Sequence, residues 1–196
     1  RRELPGRAWS SPVVANGKTF VTNARLLNER NPAQGVSLRV LALNATSGRV
    51  VWNVEAFRQT APDALQMHDK NSHASPTALF ENGRIYAHFG HHGTACVGET
   101  GRIVWQNNTS GHLSPVARTG VSVQGHLLIH DGKLYLAGGT SISPAVYNLA
   151  DGKCLNDPAP LASCNSTSVR GQELYKVGGR IAVSGMPLYG DPEYPV

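Results

Sequence analysis

Five of the 8 histidines in this 196-residue chain fall within one short stretch: His68, His73, His88, His91 and His92. Imidazole titrates near neutral pH and is a common ligand of transition metals. His88-x-x-His91-His92 follows the end of an apolar segment, and Met67-His68-Asp69-Lys70-Asn71-Ser72-His73 forms the approach to that same segment. On adjacent loops these rings can converge on a transition metal or a heme iron, with Asp69 orienting one of them through its second nitrogen. The competing reading is that they hydrogen-bond loop backbone, as partly buried polar groups must. No Cys-x-x-Cys lies nearby, so the spacing fits no closed zinc template.

The remaining reactive side chains are sparse. Cys96 lies in an apolar segment and reads as a small buried residue. Cys154 and Cys164 flank the proline-bearing stretch Leu155 to Ser163, where a short disulfide would indicate an oxidising compartment. Of the 13 acids, Glu81, Glu99, Asp131 and Asp151 fall in turn contexts, and Asp157, Asp191 and Glu193 in proline-rich loops. Little is left from which to build a carboxylate site.

The net charge of +5 is spread out, with Arg1, Arg2 and Arg7 as its one loose cluster. Nucleic-acid binding would want a basic stripe interleaved with aromatics, which is missing. No stretch approaches the length of a membrane span. Charged residues make up 16%, while 21 Gly and 12 Pro punctuate the chain. That is the composition of a soluble all-β module of many short strands.

The elements that position these residues are announced by repetition. Ala42 to Trp52 (ALNATSGRVVW) comes back as Ala95 to Trp105 (ACVGETGRIVW). A second piece precedes each copy: Asn16-Gly17-Lys18-Thr19-Phe20-Val21, Asn82-Gly83-Arg84-Ile85-Tyr86-Ala87, Asp131-Gly132-Lys133-Leu134-Tyr135-Leu136 and a worn Gly178-Gly179-Arg180-Ile181-Ala182-Val183. The period is about fifty residues, which indicates a solenoid, a propeller or a similar array. The first interval carries an insertion, Arg25 to Gly35, between the second and third strands of its unit. An exposed loop of this kind is either a spacer or a partner contact.

Each unit reads as four strands. In the second these are Ala74 to Phe80, Arg84 to Phe89, Gly93 to Val97 and Ile103 to Gln106, with Asn82-Gly83 and Thr100-Gly101 as turns that tolerate positive φ. β-Branched and aromatic residues alternate with small or polar ones, and no window shows a helical stripe. Four-stranded units of this spacing predict an all-β fold, a β-propeller of antiparallel blades.

The repeat resembles the tryptophan-docking motif of the PQQ-like, or quinoprotein-like, β-propeller family, Ala-x-Asp-x-x-Thr-Gly-x-x-x-Trp. Ala42, Asn44, Ser47, Gly48 and Trp52 match it, with Asn for Asp and Ser for Thr; Ala95, Thr100, Gly101 and Trp105 match it again, with Val97 in place of the acid. A third copy, from Val146 through Asp151-Gly152 to Asn156, keeps the turn and loses the alanine and the tryptophan. His68 to Thr94 is also similar to a stretch of PQQ-like propellers from planctomycete-type bacteria. In the motif the glycine turn sets Trp on the outermost strand, from which its ring lies over the neighbouring blade and buries roughly 150–250 Å², while the alanine leaves it room. Trp52 and Trp105 are therefore expected to be structural.

Blades are expected at about 8–57, 73–107 and 122–156, with an incomplete fourth over 169–196, forming a single partial β-propeller domain of about three and a half blades. Propellers close with four to eight blades, so the expected partners are missing blades of the same propeller or other proteins. The resemblance implies an exported bacterial protein of the periplasm or cell envelope. Some relatives hold pyrroloquinoline quinone with calcium or a lanthanide, an aspartate base and an adjacent cysteine pair. This chain has no adjacent cysteines and few spare acids, so the expectation is a non-catalytic protein-binding scaffold that requires no cofactor. The alternative is part of a quinoprotein-like or heme-associated oxidoreductase whose PQQ, heme or transition-metal site lies largely elsewhere.

Overall fold

The computed structural model describes residues 3–60, 72–108, 127–136, 145–156, 173–177 and 180–184, with the backbone alone for His91 and the last two stretches. Among these residues every regular element is a strand or a short 3-10 turn. The chain divides into two compact units, Arg1–Asn108 and Thr109–Val196.

The first unit holds two four-stranded antiparallel sheets. One has the order β1 (Val13–Ala15), β2 (Lys18–Leu26), β3 (Val36–Asn44), β4 (Val50–Gln59), and the other β5 (Leu79–Glu81), β6 (Arg84–His88), β7 (Thr94–Gly98), β8 (Ile103–Asn107). In the second unit β9 (Leu127–His130), β10 (Lys133–Leu136) and β11 (Ala145–Asn148) form a three-stranded sheet, and β12 (Glu173–Val177) pairs with β13 (Arg180–Ser184). These are the blades of a β-propeller, meandering from one strand to the next as the turn residues require. β5 is shorter than the expected Ala74 to Phe80; ahead of it the carbonyls of Ala74 and Pro76 accept from the Thr22 hydroxyl, and Ala74 also accepts from Trp9 N.

The Asn-Gly signals act through backbone conformation. Asn16, Asn82 and Asp131 have φ of 48°, 49° and 48°, and the glycines after them φ of 69°, 73° and 68°. Two successive residues in the left-handed region make the mirror-image turn whose twist matches a hairpin. Each such turn is then stitched to the end of the third strand of its blade. Gly17, Gly83 and Gly132 carbonyls accept from the N–H groups of Ala45, Glu99 and Leu149 at 2.9, 2.8 and 3.0 Å.

The core of the first unit lies between its two sheets. Alternation puts Phe20, Leu38, Val40 and Ala42 on the face of the first sheet that meets Ile85, Ala87, Ala95 and Val97 of the second, all fully buried. Aromatic pairs cross the gap: Phe20 stacks on Phe80 with centroids 5.4 Å apart, and Phe57 meets Phe89 edge-on at 6.0 Å.

Candidate functional site

The tryptophan repeat forms the clasp between the two sheets. Trp52 stands on β4 opposite Ala42 and beside Phe20, and its Nε1–H donates to the Glu99 carbonyl in the following blade at 2.9 Å. The ring then lies against Gly101. A Cβ there would sit 2.9 Å from Trp52 Cγ and 3.0 Å from Cδ2, so the docking glycine is the one in the neighbour's turn. The Glu99 carboxylate completes the clasp by accepting from Lys18 Nζ at 2.8 Å and Asn16 Nδ2 at 3.0 Å. These two bonds hold its carboxyl below the usual carboxylate range. Sequence reading placed Glu99 in a turn but missed its partners, since Asn16 and Lys18 belong to another repeat.

The second copy of the motif is shifted by one residue. Trp105 pairs with Cys96, while Ala95 pairs with Gln106. The cause is turn length: the bond closing the first turn runs from Asn44 N to Arg49 O, and the second closes sooner, from Gly98 N to Arg102 O. Ala95 is thus a buried core residue, and Cys96 is the small residue beside Trp105. Trp105 packs on Tyr86 at 6.0 Å. In the third copy Asn156 replaces the tryptophan, and its Oδ1 accepts from Val146 N at 2.8 Å.

Gly48 occupies the same position in the first turn that Gly101 holds in the second, yet no atom lies within 4 Å of the point where its Cβ would stand. Asn44 orders that turn instead, its Oδ1 accepting from the N–H groups of Thr46 and Ser47.

Of the five histidines, the structure brings two together. His92 Nε2 and His73 Nδ1 are 3.2 Å apart, one on the 3-10 turn between β6 and β7 and the other on the connection that leads into β5. β5 enters at the end of the sheet where β6 leaves, which is why residues far apart in sequence meet. His88 is separate. It is fully buried on β6, directly opposite Thr94 on β7, with its Nδ1 2.8 Å from Thr94 Oγ1. His68 and the side chain of His91 lie outside the described residues. Among the described residues no three His, Cys, Asp or Glu side chains gather to hold a metal.

Cysteine and carboxylate chemistry fare no better. Cys96 is buried, and desolvation pushes its thiol up to about 11 and the neighbouring Tyr86 phenol up to about 12. Cys154 makes a β-bridge with Tyr147, and its sulfur lies 2.8 Å from the Asn156 carbonyl; Cys164, its expected disulfide partner, lies outside the described residues. Glu55 is held by Arg58, Ser37 and Arg39 on the first sheet, and its carboxyl is lowered chiefly by the Arg58 hydrogen bond. Asp131 and Asp151 sit in turns. A quinone and its metal need several carboxylates aimed at one point; among the described residues Glu55 and Glu99 are engaged with partners of their own at separate places.

The outer strands carry a different feature. β4 and β8 are the last strands of their sheets, and Val50, Val51 and Val104 on them are 38%, 51% and 43% exposed. No helix among the described residues is long and apolar enough to cross a membrane.

Comparison with solved structures gives the fold. BamB from Moraxella catarrhalis superposes with a TM-score of 0.52 at 15% identity, over 92% of this chain and 45% of that one. A quinohemoprotein alcohol dehydrogenase of Pseudomonas putida HK5 gives 0.50 at 16% identity, over 78% of this chain and 20% of that one. The computationally designed Ika4 protein gives 0.50 at 11% identity, over 92% and 94%. The chain thus spans less than half the length of either natural protein. Comparison with curated proteins gives no match. The model of the family described as outer membrane protein assembly factor BamB matches residues 1–183, and the chain belongs to this PQQ-like β-propeller family.

Proposed function

We propose that the chain is a non-catalytic segment of a PQQ-like propeller that binds other proteins, outside the cytoplasm, through the outer edges of its blades. The observation that carries this reading is β4, a ten-residue strand at the open edge of its sheet with Val50 and Val51 exposed. An edge strand of that length presents unpaired backbone groups together with apolar side chains, and such edges recruit a further strand unless they are blunted. The family described as an outer membrane protein assembly factor supports an envelope setting. The four blades then belong to one domain, completed by other blades or by a partner.

A photo-crosslinking residue at position 51 tests the proposal. Crosslinking to one defined envelope protein, suppressed by Val50→Lys, is the expected outcome. Absence of any discrete adduct, or adducts indifferent to Val50→Lys, would refute it. The rival reading is an oxidoreductase segment. A stoichiometric quinone or heme band in the visible spectrum would favour it, and a colourless protein is expected.

A further inference from the structure

Three turns in this chain share one backbone conformation and differ in what holds their first side chain. Asn16-Gly17, Asn82-Gly83 and Asp131-Gly132 join residues paired in register, Ala15 with Lys18, Glu81 with Arg84 and His130 with Lys133. The Asn16 amide is held, its Nδ2 donating to Glu99 Oε2 at 3.0 Å. Asn82 is exposed, and its amide has no hydrogen-bond partner among the described residues. The Gly83 N–H is likewise unpaired among them, because a two-residue turn leaves that group outside the ladder. Asparagine is a thermally labile residue, and a following glycine has no Cβ to shield its nitrogen. At Asn82 a free amide, an unshielded nitrogen and solvent meet.

We propose that Asn82 is a site of spontaneous deamidation, and that isoaspartate formed there unfastens the clasp between the first two blades. The Gly83 nitrogen attacks Asn82 Cγ. A bond from that nitrogen to Cγ forms, the Cγ–Nδ2 bond breaks, and the amide leaves as ammonia with the proton from the Gly83 nitrogen. Water then opens the cyclic imide. Cleavage at Cγ restores the main chain and leaves an aspartate. Cleavage at the main-chain carbonyl routes the chain through Cβ and Cγ, which lengthens the turn by one main-chain atom. Either way one water is consumed and one ammonia released.

The two products have different consequences. Asp131 already occupies the equivalent place with φ of 48°, and its turn keeps the bond from Leu149 N to the Gly132 carbonyl at 3.0 Å. An aspartate therefore fits. A longer turn does not, because the Gly83 carbonyl accepts from Glu99 N at 2.8 Å and the Glu99 carbonyl accepts from Trp52 Nε1–H at 2.9 Å. Displacing Gly83 releases Glu99, and with it the partner of the indole. The site goes beyond protein binding and does not depend on the β4 edge.

The test ages the full chain at mildly alkaline pH and follows each asparagine by peptide mapping with fragmentation that separates isoaspartate from aspartate. Position 82 should convert about tenfold faster than position 16, whose amide must first leave a charge-assisted bond. Glu99→Ala should raise conversion at position 16 toward that at position 82. Aged protein with isoaspartate at position 82, isolated by ion exchange, should show a lowered Tm and a shifted Trp52 Nε1–H resonance. Asn82→Asp carries the same charge on a normal main chain and should show neither. Conversion at position 16 as fast as at position 82, or isoaspartate at position 82 with Tm and resonance unchanged, overturns the proposal; both readouts use wild-type protein and stand whether or not a variant folds.

Discussion

The glycines at positions 48 and 101 offer a matched pair of perturbations. Both sit in the same turn of the repeat with φ in the left-handed region, 67° and 89°, so replacing either by alanine incurs the same kind of backbone strain, about 1 kcal/mol. Their surroundings differ completely. The new methyl of Gly48→Ala meets nothing within 4 Å, whereas that of Gly101→Ala would meet Trp52 Cγ at 2.9 Å, Cδ2 at 3.0 Å and Cβ at 3.2 Å. The ring must slide off the turn, stretching its bond to the Glu99 carbonyl and loosening its contact with Phe20. Overpacking of this kind adds about 1–3 kcal/mol. Urea denaturation should therefore show Gly48→Ala destabilising by about 1 kcal/mol and Gly101→Ala by about 2–4 kcal/mol. A double-mutant cycle sharpens the test, because in a Trp52→Ala background the excess at Gly101 should vanish and leave only the strain. Equal costs for the two glycine substitutions, or an excess that persists without the indole, would refute the assignment of Gly101 as the seat of Trp52.

Two further outcomes follow from the ionisable groups. Glu99 has its folded pKa lowered first by the Lys18 and then by the Asn16 hydrogen bond, so its contribution is present above the unfolded carboxylate value of 4.5 and fades as pH falls through the folded pKa; the acid limb of a stability–pH curve should flatten in Glu99→Gln, and an unchanged limb would contradict the clasp. Native protein treated with a thiol reagent near neutral pH should be modified at Cys154 and spared at Cys96, whose buried thiol is pushed up to about 11. Peptide mapping checks this, and equal labelling of both would contradict the burial of Cys96.

What could be read from the sequence was whatever depends on residues close together within one repeat. Asn16-Gly17, Asn82-Gly83 and Asp131-Gly132 announce their turns because few other pairs tolerate two positive φ values in succession, and the strands between them follow from alternation. What depends on register or on a second repeat was hidden. The offset that puts Cys96 rather than Ala95 beside Trp105 arises from one residue of turn length, which an alignment anchored on glycine and tryptophan absorbs without trace. His88 and His92 look like neighbours in sequence, yet the strand pairs one with Thr94 while the turn delivers the other to His73. No one-dimensional spacing encodes that meeting, since it depends on where the connection between blades returns.

The backbone stitches from Gly17, Gly83 and Gly132 also divide each blade into two ends with different freedoms. At the stitched end both turns are locked to each other, so a change in the length of either must break a main-chain bond. At the opposite end the described loops close on themselves, Leu27 N to Gly35 O and Phe89 N to Gly93 O, and there the first two repeats differ most: Leu27–Gly35 in the first blade stands against Phe89–Gly93 in the second. An engineer grafting a binding loop onto this chain, or a lineage acquiring one, would find one rim closed to insertion and the other open. The His73–His92 contact lies at that end, beside the buried Phe89.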